Sequence, residues 1–443
     1  MPPPAASTLS RARRPAMSAS FAVERGRLDN GLRVLVSPDK ASPVVAVAVY
    51  YDVGMRSEPE GRTGFAHLFE HLMFQGSATL PKGEHFTRVQ GAGGTLNGST
   101  HVDYTNYYEL LPSNATELGM FLEADRMRSV ALTEENLVNQ VAVVQNEIRV
   151  NVLNRAYGSF PWLTLPPVLY ESFANSHNGY GDFIDLESAS LDDAQEFFNR
   201  YYAPGNALLT VAGDVDVDQV LAWAEQHFGD IPARTVPTRP SFAEPAPKGE
   251  QRSTMTDHLA PSPAVALGWR VPDPADLTAF LPFVVLAEVL TDGDASRLQE
   301  RLVLRDRSVT SVGGYVGLLG DPLDTRDPTP LLLEVHHPEE TSVDTVLAAI
   351  DEEMDRLAQD GLAAAELERT VRRMAARYLR DVDPVLGRAL SMSVFEQQRG
   401  RAELVNELPD LLSRVTPDQL QAAAATLQPQ SRAVLELRPG GPA

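Results

Sequence analysis

Three residues in the segment 64 to 77, GFAHLFEHLMFQGS, have the types and spacing for metal-assisted hydrolysis: His67, Glu70 and His71. On a helix, His67 and His71 lie four positions and so about 40° apart around the axis, which lets both imidazoles reach one metal ion. Glu70 projects from the same side, where its carboxylate could take a proton from water while the metal polarises a scissile carbonyl. Two His are only part of a zinc site. A catalytic zinc needs a third protein ligand and one open position.

The helix expected from Thr133 to about Leu153 offers that ligand in ENLVNQVAVVQNEIRVN. Val141, Val144, Ile148 and Val152 form its apolar stripe, so Glu147 lies at the edge of a face that packs inward. An acidic residue there needs a partner, and a metal or a structural arginine would serve equally. Gln140 stands seven positions earlier on the same side.

These residues must be positioned by a large acidic chain. Its 443 residues include no cysteine, 43% are apolar, and the formal net charge is −22. Disulfides, thiolate metal sites and cysteine nucleophiles are excluded, so a metal must be held by Asp, Glu and the nine His. The acidity argues against a broad phosphate-binding face and suits no nucleic-acid partner. A basic peptide partner suits the charge better. No apolar run reaches the roughly 20 residues of a membrane span, and the N-terminal stretch lacks the apolar core of a secretory signal. A flexible tail over 1–22, an alternative start at Met17 and a cytoplasmic location are the expectations.

Five prolines between 232 and 252 mark a linker. It separates an N-terminal domain, 23–231, from a C-terminal domain, 253–443. The two look alike: SPVVAVAVYYDVG at 42 to 54 precedes an apolar helical stretch from Phe65 to Phe74, and SPAVALGWRV at 262 to 271 precedes another from Phe280 to Leu290. The offset near 220 suggests a tandem duplication. Asp29-Asn30-Gly31 reads as a hairpin turn, Ala207 to Ala212 as a strand, and Leu191 to Tyr202 and Ala364 to about Arg380 as helices. Hairpins and helices cluster rather than alternate, so each half is α+β rather than doubly wound.

Other motifs carry less. Asp214, Asp216 and Asp218 imitate an EF-hand loop, but Gln219 occupies the glycine position, and a strand-to-helix turn with a capping Asp fits better. His336 and His337 are adjacent on a strand and face apart. His85, His101, His177, His227 and His258 lack ligand spacing. The Gly-rich stretch 91 to 98 has no following Gly-Lys-Ser/Thr, and there is no Gly-x-Ser-x-Gly elbow.

The H-x-x-E-H string, with a Glu 76 residues after its second His, resembles the inverted zincins of the pitrilysin, insulinase and mitochondrial processing peptidase family. LDNGLRVLV, GGTLNGSTHVDYTNYYELLP at 93 to 112, VVQNEIR at 143 to 149 and AGDVD at 212 to 216 extend the resemblance along nearly the whole chain. It implies two homologous α+β domains in tandem, each a mostly antiparallel sheet with packed helices, together forming half of a clamshell. It implies one Zn2+ per chain on His67, His71 and Glu147, with Glu70 as general base and Gln140 as a supporting hydrogen-bonding group where many members have Glu. Asn97 and Gly98, where the family has Asn-Ala, would lie on a strand that binds substrate by strand addition, the Gly being a small change in the strand edge. An Arg and a Tyr seven residues on, expected from the facing half, align with Val303 and Thr310; Arg301 and Tyr315 have the right types at the wrong spacing. The counterpart of the motif helix, Phe283 to Leu290, lacks the His pair.

The chain is therefore expected to be a zinc metalloendopeptidase for peptides or unfolded segments, the metal-bearing subunit of a heterodimer whose homologous partner supplies Arg and Tyr. The alternative is a non-catalytic peptide-binding or assembly subunit of the same fold.

Overall fold

The computed structural model describes residues 20–440. Among these residues, eleven strands form two sheets. Glu24–Arg27 (β1), Arg33–Pro38 (β2), Val44–Tyr51 (β3), Thr95–Thr100 (β4), Thr105–Pro112 (β5) and Ala207–Gly213 (β6) make the first, in the order β1-β2-β6-β3-β5-β4. Gln251–Asp257 (β7), Ala264–Arg270 (β8), Ser311–Val316 (β9), Pro330–His336 (β10) and Arg432–Pro439 (β11) make the second, in the order β7-β11-β8-β10-β9. Without β1 the two orders correspond strand for strand. Each has one parallel pair, β2 with β6 and β7 with β11, and is otherwise antiparallel. Two α+β units in tandem account for the described chain, and β3 and β8 begin 220 positions apart, at Val44 and Ala264.

Alternation along β3 explains how both faces are filled. Val45, Val47, Val49 and Tyr51 enter the core under the first unit's helices. Ala46 and Ala48 leave room on the other face, where the helix Val385–Arg399 from the second half of the chain lies against β3 and β6. Ala389 meets Ala46 and Ala212, and Ser393 Oγ donates to Thr210 Oγ1 at 2.8 Å. The exchange is reciprocal: Leu165 and Leu169 cover Ala264, Ala266 and Ala433 of the second sheet. A Cβ on Gly268 would stand 3.0 Å from Leu165 Cδ2, so glycine permits this approach.

The turn at Asp29 to Gly31 joins β1 to β2, with only Gly31 at positive φ (96°). Asn30 also serves beyond the turn: its Nδ2 donates to Phe228 O (2.7 Å) and Ile231 O (3.0 Å). Residues 232–250 carry no helix or strand. Of the tail expected over 1–22, residues 1–19 lie outside the described residues; Phe21 is docked, exchanging two backbone hydrogen bonds with the Asn406 amide at 2.8 and 2.9 Å. No helix among the described residues is long and apolar enough to cross a membrane.

Arg239 ties the irregular segment to the fully buried Asp103, whose carboxylate also takes two bonds from Arg56 Nη1 (2.9 and 2.7 Å) and one from Arg326 N (3.0 Å). Burial alone would raise the Asp103 pKa, but Arg56 and Arg239 hold it down at about 2, against 3.8 for a free Asp. A depressed carboxylate stabilises the fold fully above its unfolded pKa and loses that contribution as pH falls through its folded value. The contribution is on the order of 2 kcal/mol. Urea denaturation should therefore show the stability gap between wild type and Asp103→Asn widest near pH 6 and narrowing below pH 4; a gap independent of pH would contradict this assignment.

Candidate metal centre

Helix α1 (Phe65–Leu72) carries the motif and buries Phe65, Ala66, Leu68, Phe69 and Leu72. Its N-cap, Gly64, is left-handed (φ 83°) and has no side chain to cap the helix. Glu58, fully buried, supplies the missing acceptor: Oε2 takes Gly64 N (2.9 Å) and Oε1 takes Ala66 N (2.8 Å). A carboxylate here satisfies orphan amides and complements the positive end of the helix dipole. His177 Nε2 pins the same carboxylate at 3.0 Å. Helix α4 (Glu134–Ile148), labelled after α2 (Glu84–Gly91) and α3 (Thr116–Arg128), is capped by Thr133 and packs on α1. Its last turn brings up Glu147.

The three expected ligands converge. One donor atom each from His67, His71 and Glu147 lie within 4.8 Å of one another. Glu147 Oε1 is 3.7 Å from His67 Nε2, and Oε2 is 3.3 Å from His71 Nε2. Donors held roughly 2.1 Å from a tetrahedral ion stand roughly 3.4 Å apart, so these separations fit one zinc ion. The charge states fit as well. Burial and the neighbouring His71 lower the His67 pKa to about 4, leaving its lone pair free near neutral pH. The His71 hydrogen bond, with a smaller contribution from Tyr180, holds Glu147 at about 2 and therefore ionised.

Glu70 is mostly buried, and burial raises its pKa, opposed by a 2.7 Å hydrogen bond from Thr100 Oγ1 to Oε2. Thr100 belongs to β4, whose outer edge is unpaired within the described sheet. Asn97 is exposed on that strand. Gly98 lies on the same edge strand and is buried, and a Cβ there would approach Glu70 Cγ and Tyr107 Cδ1 at 3.2 Å. Glycine at this position therefore bears on the packing of Glu70 as well as on the strand.

Gln140 is buried, but its amide donates to Asn139 Oδ1 (3.1 Å). Seven residues along a helix amount to roughly 10 Å, so Gln140 and Glu147 stand two turns apart. Glu147 itself is held by a residue the sequence pattern did not single out. Tyr180 donates from its hydroxyl to Glu147 Oε1 at 2.6 Å and stacks on His67, with ring centroids 4.7 Å apart. It is 33 positions from Glu147 in an irregular stretch, and no periodicity marks it.

A second donor cluster among the described residues is His85, Glu109 and Glu123. It already holds a cation, since Arg126 Nη2 bonds both carboxylates and its guanidinium lies 4.4 Å from the Tyr107 ring. In the second unit the helices Leu277–Thr291 and Ala364–Val382, which follow the sheet in the places of α1 and α4, are joined by an ion pair of Glu288 with Arg377. Arg301 is engaged by Asp306 (2.6 Å) and Glu352 (2.7 Å), and Thr310 Oγ1 donates to His336 O.

Comparison with known proteins agrees with this architecture. The family described as Insulinase (Peptidase family M16) matches residues 33–157, and the Peptidase M16 inactive domain matches 188–374. Zinc protease PqqE of Helicobacter pylori is 31% identical over 297 residues, 63% of this chain and 63% of that protein. The bovine mitochondrial-processing peptidase subunit beta is 26% identical over 251 residues, 56% of this chain and 50% of that one. The matches thus span between half and two thirds of these relatives. The crystal structure of a protease from Helicobacter pylori superposes with a TM-score of 0.86 at 24% identity, over 95% of this chain and 100% of that one. The periplasmic protease PqqL from Escherichia coli gives 0.76 at 19% identity, over 96% of this chain and 48% of that one, so the fold here corresponds to about half of that chain. With both units matched in order and a sheet topology repeated in tandem, the chain belongs to the M16 peptidase family of pitrilysin, insulinase and mitochondrial processing peptidase.

Proposed function

We propose that the chain is a zinc-dependent endopeptidase acting on extended peptide segments, and that it works as the metal-bearing subunit of a heterodimer. The observation that carries this reading is the convergence of His67, His71 and Glu147 beside the buried Glu70. When bound, zinc supplies a Lewis acid that polarises a carbonyl and makes water a stronger acid. The imidazoles of His67 and His71 and the carboxylate of Glu147 would hold it. Glu70 is the proton carrier: with Oε2 taken by Thr100, Oε1 accepts the proton from water and returns it to the departing amine. Its raised pKa suits both halves of that task. The free edge of β4 offers backbone donors and acceptors to an extended substrate, which fixes the peptide by main-chain hydrogen bonds next to Glu70.

The partner is inferred from what this chain does not present. Arg301 is committed to ion pairs, and the aligned positions hold Val303 and Thr310. Groups that steady the charge developing on the carbonyl oxygen would then come from a homologous subunit's Arg and Tyr. The same observation favours a second reading, a peptide-binding assembly subunit without catalysis.

Peptide hydrolysis by the purified chain decides between them. Chelation is expected to abolish cleavage and one equivalent of zinc to restore it, with the rate rising on titration with a homologous subunit that carries the Arg and Tyr. Full activity of the chain alone would remove the heterodimer from the proposal. Stoichiometric zinc without cleavage, alone or mixed, would favour the assembly subunit.

A further inference from the structure

Glu147 is about one-third exposed on the last turn of α4, and its carboxylate must present one oxygen to each imidazole. A glutamate has three rotatable bonds, so that orientation needs an outside partner. Among the described residues, the partner is Tyr180. Its hydroxyl donates a hydrogen bond to Glu147 Oε1 at 2.6 Å, while Asn151 Nδ2 donates to the phenol oxygen at 3.4 Å. The Tyr180 ring lies nearly parallel to the His67 imidazole, at 16°, and Trp162 packs edge-on behind it at 5.3 Å.

The segment holding Tyr180 is fastened to the start of α1. Gly181 (φ 111°) and Gly64 approach so closely that a Cβ on Gly64 would stand 2.5 Å from Gly181 Cα. Asp182 N donates to Thr63 Oγ1 (2.9 Å), Thr63 N and Oγ1 donate to Asp185 Oδ2 (3.0 and 2.7 Å), and His177 reaches Glu58. The loop therefore cannot shift without moving the helix that carries His67 and His71. It joins α1 and α4 through one side chain.

We infer that Tyr180 is a positioning residue of the metal centre, its hydroxyl fixing the Glu147 carboxylate and its ring bracing His67. This rests on the zinc reading above. Partners that orient metal ligands typically contribute 10- to 100-fold in metal affinity.

The test is zinc affinity, measured by competition with a chromophoric chelator, for wild type, Tyr180→Phe and Tyr180→Leu, together with melting of each zinc-free protein. Tyr180→Phe keeps the ring and loses the hydroxyl, and is expected to bind zinc about 10- to 100-fold more weakly, with zinc-free melting close to wild type. Tyr180→Leu is expected to bind more weakly still. Wild-type affinity in Tyr180→Phe overturns the role of the hydroxyl, and equal affinities of the two variants overturn the role of the ring. A loss of affinity matched by collapse of the zinc-free fold would make Tyr180 merely structural. Wild type that binds no zinc would overturn the zinc reading and this inference together, which separates that failure from the others.

Discussion

Glu70→Gln is expected to lower the rate of peptide cleavage by about 10²- to 10⁴-fold while zinc remains bound. The glutamine amide has the size of the carboxyl group and keeps an oxygen for Thr100 Oγ1, so the local geometry survives. It has no site that takes a proton from water. Stability provides an independent check with its own sign. Burial raises the Glu70 pKa, and a carboxyl raised in the folded state costs stability as pH climbs through that folded value. A neutral side chain escapes the cost, so Glu70→Gln should melt at or above the wild-type temperature at neutral pH. Glu147→Gln should behave oppositely: Glu147 is the proposed carboxylate ligand, held ionised at about 2, and its loss is expected to show first as lost zinc. Zinc-loaded Glu70→Gln that cleaves at the wild-type rate would remove Glu70 from the chemistry.

The parts of this site that were legible in the sequence are those set by helical geometry. His67 and His71 share a helix face because four residues nearly complete a turn, and Glu147 stood out as an acid bordering the stripe of Val144 and Ile148. The repeat was legible because β3 and β8 keep the same strand signal 220 positions apart. What pattern could not supply was contact at long sequence separation. Tyr180 meets Glu147 across 33 residues of short helices and turns, held there by two glycines whose role is visible only when the backbones touch. The second face of β3 is similar. Alternating Val and Ala announce a strand buried on both sides, but nothing in 44 to 51 says that the cover is Val385–Arg399, more than 330 positions later. The same limit hid the second role of Asn30, a turn residue whose amide also clamps the backbone at 228 and 231.

Donor convergence by itself does not make a metal site, and the cluster of His85, Glu109 and Glu123 supplies the contrast. There Arg126 holds the place a cation would take: its Nε donates to Glu123 Oε2 (2.9 Å), Nη2 reaches both carboxylates, and Phe74 and Tyr107 lie over the guanidinium. Burial still pushes Glu123 up to about 8, against the opposing charge of Arg126, and raises Glu109 too. Arg126→Met should destabilise the fold by about 3–5 kcal/mol, because it leaves two buried carboxyls without their counter-charge. Without Arg126 both pKa values rise further, so the folded state holds more protons than the unfolded chain and stability drops as pH increases. The deficit in urea denaturation should therefore be smaller at pH 5.5 than at pH 8. Zinc should not restore Arg126→Met when His71→Ala disables the first site, since a cluster built around a guanidinium has no need of an ion. Zinc-dependent recovery in that double variant would mean that the second cluster binds metal and that Arg126 merely guards it.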